Sequence, residues 1–326
     1  MTTCYIDRKD AELRVDGQAL ACYEGGRRTA TIPLGPVDRL VIVGNVSLET
    51  RLLHRLAEQG VTVGFIGGRK HRLLGCFSRT LQGNGARRLA QYRAVATPET
   101  VQAIATGVLV AKLDGHLGLL ESLRPHARQG AVVVESLSRI ATSRERVADA
   151  LALDSLRGLE GAAAAAFFTA FQECFPPSLE FTDRNRRPPK DPVNALLSLT
   201  YTLVHFELLR EVEVAGLDPT LGFLHEVDYG RDSLVCDLVE PQRPAAERFV
   251  WGLFHERLFT ARDFAQGEER PGCYLKKGGR TRFYPAYEGW ADGQRSGWRE
   301  AVRALVRELG GDGVPPTASA AEGEPS

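Results

Sequence analysis

The stretch DPVNALLSLTYTLVHFELLREVEVAG, residues 191–216, decides the fold. Asp191 is a residue type that caps helix N-termini, Pro192 suits the first helical position, and Gly216 is a common helix stop. Apolar residues occur on all sides of the intervening helix, a pattern that indicates burial rather than a surface position. The sequence therefore predicts a long, buried helix at the centre of a helical domain.

Apolar residues keep a helical spacing on both sides of this stretch, from residue 87 to residue 308. The segment RERVADALALDSLRGLEGAAAAAFFTAFQECF (residues 144–175) is predicted to be helical with a break near Gly158. Residues 309–326 are small, polar and rich in Pro and Gly, which predicts a disordered tail. We therefore expect an all-α domain over residues 87–308, followed by that tail.

Residues 1–82 show short β-branched runs that are typical of strands. ELRVDGQALACY contains Asp16-Gly17, the two-residue signal of a β-hairpin. RTATIPL, RLVIVG and VTVGFIGG indicate further strands, whereas SLETRLLHRLAEQG predicts one helix with an N-cap at Ser47 and a stop at Gly60. The expected fold class is α+β: a small β-rich N-terminal domain followed by a larger all-α C-terminal domain.

The overall charge gives no sign of an extended basic surface, because 41 Lys and Arg balance 41 Asp and Glu. Any nucleic-acid site must then be a local basic patch. Six scattered cysteines form no CxxC pair, which indicates free, mostly buried thiols in a reducing cytoplasm. The first residues lack a secretion signal, and no stretch reaches the roughly 18 apolar residues of a membrane span. We therefore expect a soluble cytoplasmic protein.

Candidate ligands for a metal ion occur in GFLHEVDYGRDSLVCDLVE, residues 222–240. A helix over SLVCDLVE would place Asp237 and Glu240 on one face, and the turn at DYGRD could bring His225 back against Glu240. One imidazole and one or two carboxylates form a mixed site that suits Mn²⁺ or Mg²⁺. The alternative is an ordinary hydrogen-bonded pair of histidine and carboxylate, or a helix cap.

Glu160, in LRGLEGAAAAAFF, is the candidate for a third ligand. The small residues after it would let other elements approach closely, so its carboxylate could reach a shared ion. The alternative is that Glu160 sits in a first helical turn and only complements the helix dipole.

Two basic segments could contact a phosphate backbone: TDRNRRPPK (residues 182–190) and YLKKGGRTRFY (residues 274–284), the second with interleaved aromatic residues. Either could equally be a solvated basic loop, and GGRKHR (residues 67–72) is interpreted as an exposed turn. The sequence contains no GxxxxGK[ST], GxGxxG, GxSxG or HExxH motif in a suitable position, which argues against nucleotide-driven enzymes and zinc proteases.

Three segments together resemble the universal CRISPR-associated integrase family of spacer acquisition: LRGLEGAAAAAFF, NRRPPKDPVNALLSLTYTLV and GFLHEVDYGRDSLVCDLVEPQRP. They span most of residues 150–250 in order. The resemblance implies a β-domain for dimerisation and partner contacts, and a helical domain for catalysis and DNA binding. It also implies a homodimer, bridged by a small ferredoxin-like second CRISPR adaptation protein, that captures short double-stranded DNA and joins it to the repeat.

Carried over residue by residue, the resemblance implies that Glu160, His225 and Glu240 are the catalytic residues and hold a Mg²⁺ or Mn²⁺ ion. Some family members have Asp at the last position, where this chain has the longer Glu240. Asp237 matches another acidic position of the motif and is assigned a supporting role or a place on a second ion.

The function expected from these residues is that of a metal-dependent DNA endonuclease and integrase. A 3′-hydroxyl nucleophile would give strand transfer and water would give cleavage. Activity should fall in acid, because a protonated His225 cannot bind a metal. Two alternatives remain at this point: a structure-specific DNase acting on branched repair intermediates, and a non-catalytic DNA-binding scaffold.

Overall fold

The computed structural model describes residues 2–67, 72–79, 85–185, 188–267 and 272–310. Its N-terminal part, here called the β part, contains β1 (Thr2–Asp7), β2 (Ala11–Asp16), β3 (Ala19–Glu24), β4 (Arg27–Pro33), β5 (Val37–Val43), β6 (Val46–Leu48), α1 (Thr50–Glu58), β7 (Thr62–Ile66) and β8 (Leu73–Phe77).

The strands of the β part form two four-stranded sheets, ordered β1-β5-β7-β8 and β4-β3-β2-β6. In the first sheet β1, β5 and β7 are parallel and β8 is antiparallel to β7. The predicted hairpin is present between β2 and β3, and Gly17 has the positive φ of 59° that this tight turn requires. Apolar side chains of both sheets and of α1 bury one small core, which includes Leu13, Leu40 and Leu52.

The remaining described residues form the helical part. It contains α2 (Gly85–Val95), α3 (Pro98–Leu123), α4 (Gly130–Arg146), α5 (Leu153–Phe171), α6 (Pro192–Ala215), α7 (Ser233–Val239), α8 (Arg243–His255), β9 (Phe264–Gln266), β10 (Cys273–Leu275) and α9 (Lys277–Glu308). The α+β class and the order of its two parts are confirmed. The short antiparallel ribbon β9-β10 is a departure from the all-α expectation.

Helix α6 is the centre of the helical part, as predicted. The Asp191 carboxylate accepts a hydrogen bond from the backbone N–H of Asn194, and Gly216 ends the helix with φ 78°. The helix packs against α7, α8 and α9 and against the first sheet of the β part. At that sheet Gly64 lies so close to the Phe206 ring that an added Cβ would come within 2.7 Å of it.

Two predicted helix boundaries are wrong. The break expected near Gly158 lies instead between α4 and α5, and Gly158 is inside a continuous α5. Ser47 does not cap α1, because it belongs to strand β6. The residue before α1 is Glu49, whose carboxylate accepts a hydrogen bond from the backbone N–H of Val15 and so ties the helix start to β2.

The expectation that no segment could span a membrane needs one correction. The helical stretch Pro98–His126 is long and apolar enough on length and composition alone. It packs against α4, α5 and α8 and contributes to the hydrophobic core, which accounts for its composition. One of its charged residues, Lys112, is buried within the protein.

The six cysteines are free and are buried or half-buried, as predicted. Burial raises the pKa of the Cys76 and Cys273 thiols to about 12, so these groups stay protonated at neutral pH. Residues 311–326 of the predicted tail and residues 68–71 of the predicted basic turn lie outside the described ranges. The proposed domain boundaries stay a prediction.

Candidate active site

Glu160 lies inside α5 rather than in its first turn. The helix begins at Leu153, and the acidic residue of its first turn is Asp154. The helix-dipole interpretation therefore applies to Asp154 and not to Glu160. The small side chains that follow are in part buried, including Ala163 and Ala166, and α5 packs against α3 and α4. Helix α3 thus comes close to the Glu160 carboxylate.

Lys112 of α3 joins two of the predicted site residues. Its Nζ lies 2.6 Å from Glu160 Oε1 and 2.6 Å from Glu240 Oε2, and its side chain is only 4% exposed. The two carboxylates, 80 residues apart in sequence (240 − 160), therefore meet around one positive charge. Lys112 is not among the site residues predicted from the sequence. The available signal was one lysine in the middle of a largely apolar helix, where a lysine is rarely buried unless it is paired.

Glu240 follows directly after α7 and is held by two cations. Arg243 Nε lies 2.8 Å from the same Oε2 atom that contacts Lys112, and the Glu240 side chain is 3% exposed. Burial alone would raise the pKa of this carboxyl, but the positive charges of Arg243 and Lys112 hold it well below its ordinary value. Glu240 therefore stays ionised.

Asp237 organises the loop that carries His225. Its buried carboxylate accepts hydrogen bonds from the backbone N–H groups of Phe223, Leu224 and His225. It also lies 2.6 Å from His225 Nδ1. Since an ionised carboxylate can only accept, Nδ1 carries a proton and Nε2 is the ring nitrogen left for a ligand. The helix predicted over residues 233–240 is confirmed for Ser233–Val239, and Glu240 begins the 3-10 turn that follows. Asp237 contacts the His225 ring on its Nδ1 side.

The structure thus brings Glu160 and Glu240 together and places His225 beside them, paired with Asp237. Over the described ranges, no three His, Cys, Asp or Glu side chains are grouped so that one metal ion could touch all of them. The Lys112 ammonium lies between the two glutamates, and the His225 ring is held by Asp237. The metal-ligand role of Glu160, His225 and Glu240 stays a prediction.

Two arginines lie against the ring of Tyr201, next to Glu240. The guanidinium carbon of Arg243 is 4.6 Å from the ring centroid and that of Arg184 is 5.5 Å away. Arg184 belongs to the first predicted basic segment, of which Arg186 and Arg187 lie outside the described residues. One member of that segment is therefore at the acidic site, where its charge can meet a phosphate.

A buried chain of hydrogen-bonded polar groups holds the Tyr201 side chain in place. The Tyr201 hydroxyl donates to Glu247 at 2.6 Å, and His116 Nε2 lies 3.0 Å from the other oxygen of the same carboxylate. Burial, followed by the Glu247 charge, raises the pKa of Tyr201 far above its ordinary value. The hydroxyl therefore stays a hydrogen-bond donor, and the ring under Arg243 is fixed.

The second predicted basic segment is partly neutralised within the fold. Arg280 pairs with Asp7 of β1 and Arg282 pairs with Asp263, while Lys276 donates to a backbone carbonyl. Its first two residues belong to β10, and residues 277–284 begin α9 rather than forming a loop. A surface cavity of about 540 Å³ lies here, between β1 and α9, and the acidic site residues do not line it. The ion pairs of Arg280 and Arg282 leave this segment with less uncompensated positive charge for the predicted contact with DNA.

Comparison with known proteins matches residues 4–289 to the family described as CRISPR associated protein Cas1. A CRISPR-associated endonuclease from Thermodesulfovibrio yellowstonii is 42% identical, with 95% of this chain and 97% of that protein covered. One from Thermus thermophilus is 35% identical, with 94% and 92% covered.

The fold is also similar to that of a solved CAS1 protein from Thermotoga maritima, with a TM-score of 0.83 at 23% identity, covering 96% of this chain and 98% of that one. A solved casposase bound to an integration product gives a TM-score of 0.79 at 22% identity, covering 94% and 91%. The family model and the two relatives, both matched over nearly their full length, lead to one conclusion: this chain belongs to the CRISPR associated protein Cas1 family.

Proposed function

We propose that this chain is a metal-dependent DNA endonuclease and integrase that inserts short DNA fragments as new spacers into a CRISPR array. The observation that carries the proposal is the meeting of Glu160 and Glu240 around one cation, next to His225. The relatives at 42% and 35% identity are both named CRISPR-associated endonucleases, which supports nuclease chemistry at this site.

The donor types, two carboxylates and one imidazole, suit a divalent ion. Glu160 and Glu240 already converge on a common positive charge, and Asp237 fixes the His225 ring with Nε2 left as the ligand atom. Mg²⁺ or Mn²⁺ bound to these three side chains would supply positive charge at a DNA phosphate and acidify a 3′-hydroxyl or water.

The chain's own residues would bind and orient the DNA. Arg184 and Arg243, which both lie against the Tyr201 ring, would neutralise phosphate oxygens beside the acidic site. Asp237 would keep the His225 ring from turning, and Glu247 would do the same for Tyr201. Because the whole chain is neutral, we propose that part of the DNA path lies on the partners of this chain. These are a second copy of the chain and a small ferredoxin-like second CRISPR adaptation protein, in the cytoplasm.

The test is a joining assay with the purified chain, the second adaptation protein, Mn²⁺, a duplex fragment with a 3′-hydroxyl and repeat DNA. We expect joined product with the unmodified chain and none with Glu160→Ala or with a chelator. Glu135→Ala is the matched control, since Glu135 is an exposed glutamate on α4 that pairs with Arg139. It should keep full activity.

Two outcomes would overturn the proposal. Cleavage of branched DNA without joining, with both proteins present, would favour a structure-specific DNase. DNA binding without turnover, unchanged by Glu160→Ala, His225→Ala or a chelator, would favour a non-catalytic scaffold.

A further inference from the structure

Lys112 of α3 places a positive charge next to two of the predicted site residues. Its surroundings are unusual for a lysine. The side chain is 4% exposed, and its Nζ contacts carboxylate oxygens of both Glu160 and Glu240 at 2.6 Å. Lysine is strongly hydrated and is rarely buried without a partner. Here both partners are glutamates that the proposed function assigns as metal ligands.

The charges explain why a cation lies there. Glu240 is also paired with Arg243, so it keeps a counter-charge of its own. Within the part of the chain that the structure describes, the ion pair recorded for Glu160 is the one with Lys112. Two carboxylates that face each other repel, and a partly buried carboxylate such as that of Glu160, whose side chain is 23% exposed, is stabilised by a counter-charge. The ammonium therefore holds the two glutamates in their converging arrangement.

A divalent ion would need the same oxygen atoms. Mg²⁺ and Ca²⁺ bind oxygen ligands at about 2.0–2.6 Å, so a metal shared by Glu160 and Glu240 lies close to where the Lys112 nitrogen now lies. A metal ion and the Lys112 ammonium so close together would repel each other strongly inside a protein. The lysine has a flexible four-carbon stem, which allows its ammonium to move away.

We propose that Lys112 is a built-in counter-cation of the site, which holds Glu160 and Glu240 together before metal binding and is displaced from both when the metal binds. Lys112 then acts as a positioning residue, and it lowers the metal affinity of the site in exchange for a preformed pair of ligands. This inference rests on the proposed function.

The experiment measures Mn²⁺ binding to the full chain, stripped with a chelator, from the electron paramagnetic resonance signal of free Mn²⁺. We expect Lys112→Met to bind Mn²⁺ at least about tenfold more tightly than the unmodified chain, because no ion pair has to break and one repelling charge is gone. Its melting temperature in chelator should fall, and the rise on adding Mn²⁺ should be larger than for the unmodified chain.

Lys112→Gln gives a second variant in case the methionine is not tolerated. Its amide can still donate to one carboxylate, so in chelator this variant should be more stable than Lys112→Met. It should still bind Mn²⁺ more tightly than the unmodified chain does. Lys9→Met is the matched control, because Lys9 is an 89% exposed lysine on the β part. It removes the same charge and should leave the Mn²⁺ affinity unchanged.

The outcomes separate this inference from the proposed function. If Mn²⁺ binds the unmodified chain and Glu160→Gln abolishes binding, but both folded Lys112 variants bind no more tightly, the inference alone is wrong. If Mn²⁺ binding is absent, or is unchanged by Glu160→Gln, the metal site of the proposed function fails and the inference fails with it.

Discussion

Gly222 lies at a close approach of backbone atoms in the loop that carries His225. A Cβ built at this position would come within 2.8 Å of Asp237 Oδ2, 2.8 Å of the Ser233 carbonyl carbon and 2.9 Å of the His225 carbonyl oxygen. Two of these are backbone atoms, which cannot move aside like the end of a flexible side chain. The close approach is what lets one carboxylate accept three successive backbone N–H groups of the loop.

We expect Gly222→Ala to destabilise the protein by about 1–3 kcal/mol, the usual cost of overpacking a buried site. It should also impair DNA joining, since the bond between Asp237 and the His225 ring must shift. Urea unfolding and the joining assay measure the two effects.

Gly158→Ala is the matched control for this substitution. Gly158 is inside α5, and a Cβ there meets nothing within 4 Å. It should therefore stabilise the protein by roughly 0.5–1 kcal/mol through the higher helix propensity of alanine. Equal free energies of unfolding for the two alanine variants would contradict the account of the loop.

At the level of single residues, the sequence could identify anionic and imidazole groups but not the cations placed among them. Glu160 and Glu240 were recognisable from their motifs, and the structure brings them together. Lys112 was not, because a lysine in an apolar helix most often extends its charge to solvent, and only the packing of α3 against α5 decides otherwise.

At the level of elements, the start of α6 fixes the loop before it. The fully buried Asn194 donates to the backbone carbonyl of Asp183 and to the Asp191 carboxylate. Its Oδ1 accepts from Arg184 Nη1 at 2.7 Å and from the backbone N–H of Asn185. The first turn of the central helix thus holds the arginine that lies against Tyr201.

We expect Asn194→Ala to cost about 1–3 kcal/mol in unfolding free energy, because it leaves buried polar groups without their partners. DNA affinity should fall as well, since Arg184 loses an anchor. Ser198→Ala removes a single contact to the same arginine, 3.2 Å from Nη2, and should have the smaller effect on both measurements. Equal losses in the two variants would show that Asn194 does not organise the loop.

The prediction of elements succeeded where local chemistry decides the structure. Asp191, Pro192 and Gly216 gave the bounds of α6, because a cap, a first-turn proline and a left-handed glycine act within a few residues. Gly158 misled for the opposite reason: its weak helix propensity is outweighed by the packing of α5 against α3 and α4. Ribbon β9-β10 has strands of three residues, too short for any periodic signal.

At the scale of the whole molecule, buried charges join the β part to the helical part. Arg39 of β5 is fully buried with its Nε 2.7 Å from Glu207 of α6. Arg295 of α9 lies 2.8 Å from the other Glu207 oxygen and 2.7 Å from Glu288, which also accepts a hydrogen bond from the Tyr5 hydroxyl. One carboxylate, Glu207, therefore offsets two buried arginines that come from the two parts of the chain.

We expect Glu207→Gln to destabilise the protein by about 3–5 kcal/mol, the cost of breaking a buried ion pair and leaving charge uncompensated. The amide keeps the shape of the side chain, so the loss comes from charge and not from a cavity.

Arg295 retains Glu288, whereas Arg39 loses its ionic partner, and we therefore expect the β part to separate from the helical part first. Urea unfolding should show a lower midpoint, and amide hydrogen exchange in β5 should increase before the helices melt. Glu135→Gln, at an exposed pair on α4, should change the free energy by less than about 1 kcal/mol. A Glu207→Gln loss as small as that of the control would mean that apolar packing between Gly64 and Phe206, rather than charge, holds the two parts together.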